Sequence, residues 1–103
     1  TQLGVDPMTL PQEYSLKQNY PNPFNPSTTI KYQIAKSEFV NISIFDLNGN
    51  KISNILNQHS RAGKGSVSWN GKNDANAQVS SGMYLVRMEA DGQLYQQAIT
   101  LLK

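Results

Sequence analysis

Few residues in this chain have the types and spacing that could do chemistry. Asp46, Asn48 and Asn50 stand at alternate positions, Asp-x-Asn-x-Asn, which mimics the opening of a calcium loop. Glycine falls at the fourth position of that loop rather than the sixth, and the twelfth is Asn57, not glutamate. Turn chemistry is therefore the better account, because Asn and Asp bond their own backbone. Asn73, Asp74 and Asn76 form a second oxygen-rich loop with the same explanation. The single histidine, His59, precedes a glycine-rich turn and reads as a surface-loop residue. To activate Ser80 or Ser81 it would need an orienting carboxylate, and no Gly-x-Ser-x-Gly elbow is present. Trp69, with Tyr14, Tyr20, Tyr32, Tyr84 and Tyr95, could stack on a sugar. Alternation puts Tyr32 and Tyr84 on apolar faces, and Trp69 on the face of Val67, so core packing is expected instead. Glu13, Glu38 and Glu89 lie on different elements, which leaves a paired-carboxylate glycosidase unsupported. The expectation is a chain with no catalytic residue, no metal and no cofactor.

The chain has 103 residues, enough for one domain with a modest core. Its nine basic and seven acidic residues give a net charge of +2. The Lys and Arg residues are scattered with no run of three, so a nucleic-acid face is not indicated. Eleven Asn and nine Gln exceed the charged residues in number, which excludes a long coiled coil and a charge-rich disordered tail. Cysteine is absent, so disulfides, thiolate metal sites and cysteine nucleophiles are excluded. The longest apolar run is the four residues Met83 to Val86, whereas a membrane-spanning helix needs about 20. No basic start or apolar stretch of a secretory signal opens the sequence. Membrane insertion is not expected.

The elements that must position these residues are strands and turns. Residues 1–15 carry no period and include Pro7 and Pro11, which reads as a linker from an upstream domain; residues 16–103 read as the folded unit. Pro21, Pro23 and Pro26 forbid a helix and keep Tyr20 to Pro26 off a central strand. That segment is expected along an edge, with Tyr20 and Phe24 available to pack inward. Ile30, Tyr32 and Ile34 alternate with polar residues, as do Val40, Ile42 and Ile44, and period two means half-buried strands. Asn48-Gly49 separates the second run from Ile52 to Leu56. Asp91-Gly92 separates Tyr84, Val86 and Met88 from Tyr95 and Ile99. Both dipeptides suit tight hairpin turns. Gly63 and Gly65 precede a short strand with Val67 and Trp69, and Lys72 to Ala77 is a polar loop. About seven short strands without a helix predict an all-β chain, an antiparallel β-sandwich of immunoglobulin-like type.

Several stretches together resemble a known family. Leu16 to Tyr32, with Tyr20-Pro21-Asn22-Pro23-Phe24-Asn25-Pro26 at its centre, is similar to the opening of the C-terminal sorting domains (type A) read by the type IX secretion system. Val40 to Gly49, including Asp46 and Gly49, resembles the second signature of that family. Gly65 to Gly71, with Trp69 and followed by Asn73-Asp74, resembles the third, and Ser80 to Arg87, with Gly82 and Tyr84, the fourth. Leu101-Leu102-Lys103 looks like the terminal apolar pair and basic residue. Asn70 stands where that family usually has Asp, and either residue can serve a turn. The same pattern also resembles the immunoglobulin-like module of flagellar hook-capping proteins.

The resemblance implies a non-catalytic module that sends an N-terminal cargo domain in cis across the outer membrane of Bacteroidota-like bacteria. Its partners would be the type IX translocon and a sortase, and its destination, through the periplasm, the cell surface or the extracellular space. Cleavage would fall upstream of the folded part, within residues 1–14. Leu101, Leu102 and Lys103 are the candidate recognition residues, since an edge strand can be read by β-augmentation. The alternative is an accessory immunoglobulin-like spacer or carbohydrate-binding module of a secreted hydrolase.

Overall fold

The computed structural model describes residues 13–103, so residues 1–12 of the linker expected over residues 1–15 lie outside the described residues. Seven strands follow in order: β1 (Ser15–Leu16), β2 (Thr28–Ile34), β3 (Glu38–Phe45), β4 (Lys51–Ser60), β5 (Gly63–Trp69), β6 (Gly82–Ala90) and β7 (Gln93–Leu101). They form two antiparallel sheets, β1-β2-β5 and β4-β3-β6-β7, in the expected immunoglobulin-like sandwich. The three-stranded sheet lies with β1 against β7 and β5 against β4.

The alternation read from the sequence sets the core. Ile30, Tyr32 and Ile34 of β2 face Val40, Ile42 and Ile44 of β3 and Val86 and Met88 of β6, all buried. Burying an aliphatic side chain of this size is worth about 1.5–3 kcal/mol, so these rows dominate the stability of the sandwich. On the outer face, Ser43 is buried too, because Asn54 folds over it and donates from Nδ2 to the Ser43 hydroxyl (2.9 Å) and the Ile42 carbonyl (3.2 Å). A register shift between Ile42 and Ser43 brings Asn54 there.

Three expectations need correction. Tyr20 does not pack inward; it is 81% exposed. It exchanges both backbone hydrogen bonds with Thr29, and directly opposed residues share a sheet face. Thr29 lies on the outer face of β2, so Tyr20 does as well, and Asn19 takes the inward place. Second, β4 runs on to Ser60, so His59 is an exposed strand residue opposite Phe39 and not part of a loop. Third, Gly63 and Gly65 lie within β5 rather than before it, where they oppose Ile34 and Tyr32. Residues 13–15 already join the fold: Ser15 pairs with Gln33, and Tyr14 stacks on Tyr95 with ring centroids 5.8 Å apart.

Candidate functional site: the C-terminal pole

The signature stretches, far apart in sequence, meet at one end of the sandwich. Phe24 is 1% exposed and meets Trp69 edge-on, centroids 5.7 Å apart; Trp69 in turn meets Tyr84 at 5.5 Å. Edge-to-face pairs of this kind add about 0.5–1.5 kcal/mol each beyond the area they bury. The Trp69 indole N–H donates to the Lys72 carbonyl (2.8 Å), and the Tyr84 hydroxyl to that of Ser80 (2.6 Å), so both polar tips are satisfied. Gly71, at φ +75°, has the Pro26 carbonyl oxygen 3.0 Å from where a Cβ would stand and the Leu101 side chain just beyond. No other residue meets both the conformation and the space.

The proline-rich segment ties the two sheets together. Tyr20 pairs with Thr29 of one sheet; Phe24 pairs, in parallel, with Leu101 of the other. Asn19 is buried and donates from Nδ2 to the Pro21 carbonyl (3.0 Å) and the Thr28 hydroxyl (2.9 Å), which donates in turn to the Pro21 carbonyl (2.9 Å). This buried polar cluster fixes where the chain crosses between layers. Asn22 Oδ1 accepts from the Thr100 N–H (3.1 Å). Pro23, Asn25 and Pro26 stay exposed on the outside of the crossing.

The β3–β4 hairpin flanks the pole. The Asp46 carboxylate accepts from the Asn48 N–H (2.9 Å), the Asn50 N–H (2.9 Å) and Asn50 Nδ2 (3.0 Å), while Gly49 donates to the Asp46 carbonyl (3.1 Å). The calcium-like spacing is thus a self-bonded turn. The Asn50 hydrogen bonds, more than those from Asn48 and Gly49, hold the Asp46 carboxyl below its ordinary value. Burial first, and then the charge of Asp46, pushes the Tyr84 hydroxyl up. In the second oxygen-rich loop, Asp74 donates its N–H to the Ile52 carbonyl (3.1 Å) and accepts from the Asn54 N–H (3.1 Å), capping the outer edge of β4. Asn70 serves its turn by accepting the Lys72 N–H (3.1 Å).

Of the candidate recognition residues, Leu101 is buried beside Gly71, opposite Gly82, whereas Leu102 and Lys103 are exposed. The Lys103 N–H donates to the Ser81 hydroxyl (3.1 Å), which fixes the direction of the last residues. Met83 and Leu102, both about half exposed, add apolar surface here. Of the other chemical candidates, His59 sits at the opposite end of the four-stranded sheet from Ser80 and Ser81. Trp69, Tyr32 and Tyr84 are buried, so they form no open stacking platform. Among the described residues, no three His, Asp or Glu side chains come together as metal ligands. Sequence reasoning missed Asn19 and Thr28; the signal available was the threonine starting the alternating run, the last inward position before the prolines.

Two facing antiparallel sheets, latched at one end by an aromatic trio and a crossing N-terminal segment, define an immunoglobulin-like β-sandwich module. The chain belongs to the FlgD Ig-like domain family, whose profile matches residues 25–93. No curated protein matches it. Among solved structures it is similar to latent PorU from Porphyromonas gingivalis, with a TM-score of 0.70 and 16% identity over 96% of this chain and 10% of that one. PorZ, an essential surface component of the type-IX secretion system of the same organism, gives 0.57 and 19% over 87% of this chain and 11% of that one. FlgD from Xanthomonas campestris, from a study of hook capping in flagellar assembly, gives 0.58 and 19% over 86% of this chain and 67% of that one. At these identities the likeness is one of fold, and the chain spans about a tenth of the PorU and PorZ chains.

Proposed function

We propose that this chain is a non-catalytic sorting domain that directs an N-terminal cargo across the outer membrane by type IX secretion, its partners being the translocon and a sortase. The observation that carries this reading is the convergence of all five signature stretches on one pole, with the exposed Leu102 and Lys103 presented beside it. A translocon that reads a folded module needs a rigid contour, and the latch between Phe24, Trp69, Tyr84 and Leu101 supplies one. The fold likeness to PorU and PorZ supports the same reading. Export to the cell surface follows from it.

The test fuses residues 1–103 to a reporter in a type IX-competent bacterium and compares it with fusions carrying Leu102→Ala with Lys103→Ala, and lacking residues 101–103. The double variant keeps Leu101, so lost export cannot be blamed on the core. Equal export of all three fusions ends the recognition role of the C-terminus; no export of the complete fusion ends the sorting reading. The family profile and the FlgD likeness favour a second reading, an immunoglobulin-like spacer within a hook-capping assembly. Failure of export together with rescue of hook assembly would select it.

A further inference from the structure

The two sheets are unequal: three strands face four. β5 is the edge strand of the three-stranded sheet and lies against β4, the edge strand of the other. The inner face of β4 there carries Leu56, opposite Ile42, and Gln58, opposite Val40; Leu56 is only partly buried and Gln58 is exposed. Between this face and the β5 edge runs a groove of about 490 Å³ lined by Tyr32, Gln58, His59, Gly63, Lys64 and Gly65 among others. The inward positions of β5 at this end are Gly63 and Gly65, so no β5 side chain fills the groove.

The backbone of β5 is oriented to receive an added strand. Thr29 and Lys31 direct their backbone groups away from β5, to Tyr20 and Lys17. The even residues of β2 therefore bond β5, through Gly63, Gly65, Val67 and Trp69. That leaves the N–H and C=O of Lys64, Ser66 and Ser68 pointing outward, and among the described residues nothing pairs with them. Other edges are treated differently. The outer edge of β7 is covered from Ala98 to Leu102 by Gln18, Asn22 and Phe24, and β4 is capped at Ile52 and Asn54 by Asp74.

Charge specifies the occupant. Lys17, Lys31 and Lys64 share one hollow on the outer face of this sheet, and Arg61 lines the neighbouring groove; no Asp or Glu lines either hollow beside the edge. We infer that the outer edge of β5 is a docking site for an extended acidic segment of a partner protein. That segment adds as a fourth strand, with carboxylates opposite Lys64 and small apolar side chains in the groove over Tyr32. The inference stands apart from the export reading, because it concerns binding by the isolated chain.

The test titrates the isotope-labelled chain with a short, capped synthetic peptide alternating Val and Glu, and with its Val–Lys counterpart. The expected result is resonance shifts centred on β5 and Tyr32, with the Lys64, Ser66 and Ser68 amides becoming protected from hydrogen exchange on binding. The Val–Lys peptide should bind at least about tenfold more weakly. Ser66→Pro removes an outward N–H and no β2–β5 bond, and should abolish binding while leaving the rest of the spectrum in place. Should that variant not fold, Lys64→Glu decides: it should weaken the Val–Glu peptide and strengthen the Val–Lys one. Absence of binding, shifts centred on β7, equal affinity for both peptides, or an unaltered preference in Lys64→Glu would each overturn the proposal.

Discussion

Phe24 is hydrogen-bonded on both sides of Leu101: its N–H donates to the Thr100 carbonyl (3.0 Å), and its carbonyl accepts from the Leu102 N–H (2.9 Å). The proline-rich opening of the domain is thereby a short parallel partner of its last strand. The edge that would otherwise be open to any extended chain is covered from within. The buried Phe24 ring carries this arrangement through its contact with Trp69.

Phe24→Ala should therefore cost about 3–5 kcal/mol, the range for deleting a buried aromatic. Phe24→Leu, which keeps most of the volume, should cost distinctly less. Chemical denaturation followed by Trp69 fluorescence measures both, since Trp69 is the single tryptophan and is buried. Equal losses for Leu and Ala would show that the ring does not anchor the latch.

Much of this arrangement was legible in the sequence, and the limits are physical. Alternation at Ile30, Tyr32 and Ile34 placed the inward face correctly, because a strand has a side-chain period of two and the core selects one face. Asn48-Gly49 and Asp91-Gly92 marked their hairpins because left-handed turn positions admit few residues. Around the prolines no period exists, and the inward residue was decided by which partner the chain met. Opposition to Thr29 turned Tyr20 outward and Asn19 inward. Gly63 and Gly65 read as a turn because glycine weakens strand propensity, yet Gly65 is required within β5 by the ring lying over it. The meeting of Phe24, Trp69, Tyr84 and Leu101 at one pole depends on sheet order, which local patterns do not encode.

Gly65 leads to a second prediction. A Cβ built at this position would stand 2.5 Å from the Tyr32 ring tip and hydroxyl. Gly65→Ala should then destabilise by about 1–3 kcal/mol through overpacking, although alanine favours a strand no less than glycine does. Combining it with Tyr32→Leu should give a double variant less destabilised than the two single losses together, since the clash is gone. Strict additivity in thermal or denaturant unfolding would argue against the contact.

The Asp74 cap on β4 gives a third. Removing the carboxylate with Asp74→Ala leaves the Asn54 N–H and the Ser53 hydroxyl without their acceptor. The loss should be about 1–3 kcal/mol, the net worth of two hydrogen bonds to a carboxylate at the surface. It should be local as well. Exchange of the Asn54 amide should accelerate by more than that of amides in the centre of β6. A uniform acceleration across the sandwich would mean that Asp74 acts on global stability and not as an edge cap.

The hairpin at Asp46 makes stability depend on acid. Hydrogen bonds from Asn50 first, then from Asn48 and Gly49, lower the folded-state carboxyl below its unfolded value. Protonation is therefore harder in the folded chain, so the unfolded state binds more protons across this range and stability falls as pH falls. The contribution is complete above the ordinary Asp value of about 4 and is lost as pH drops through the lowered folded value. Asp46→Asn keeps the size of the side chain but cannot accept from Asn48 and Asn50 with two anionic oxygens. It should melt below the parent at neutral pH, with the gap closing below about pH 4. Tyr14 works at the other end of the scale. Its hydrogen bond to Glu38, helped by burial and the Glu38 charge, raises its hydroxyl well above the ordinary value. The bonded hydroxyl stabilises the fold below the ordinary tyrosine value, and the benefit goes as pH climbs toward the raised one. Tyr14→Phe should thus flatten the alkaline limb of melting temperature against pH. A Tyr14→Phe profile parallel to the parent above about pH 10 would remove this hydrogen bond from the account.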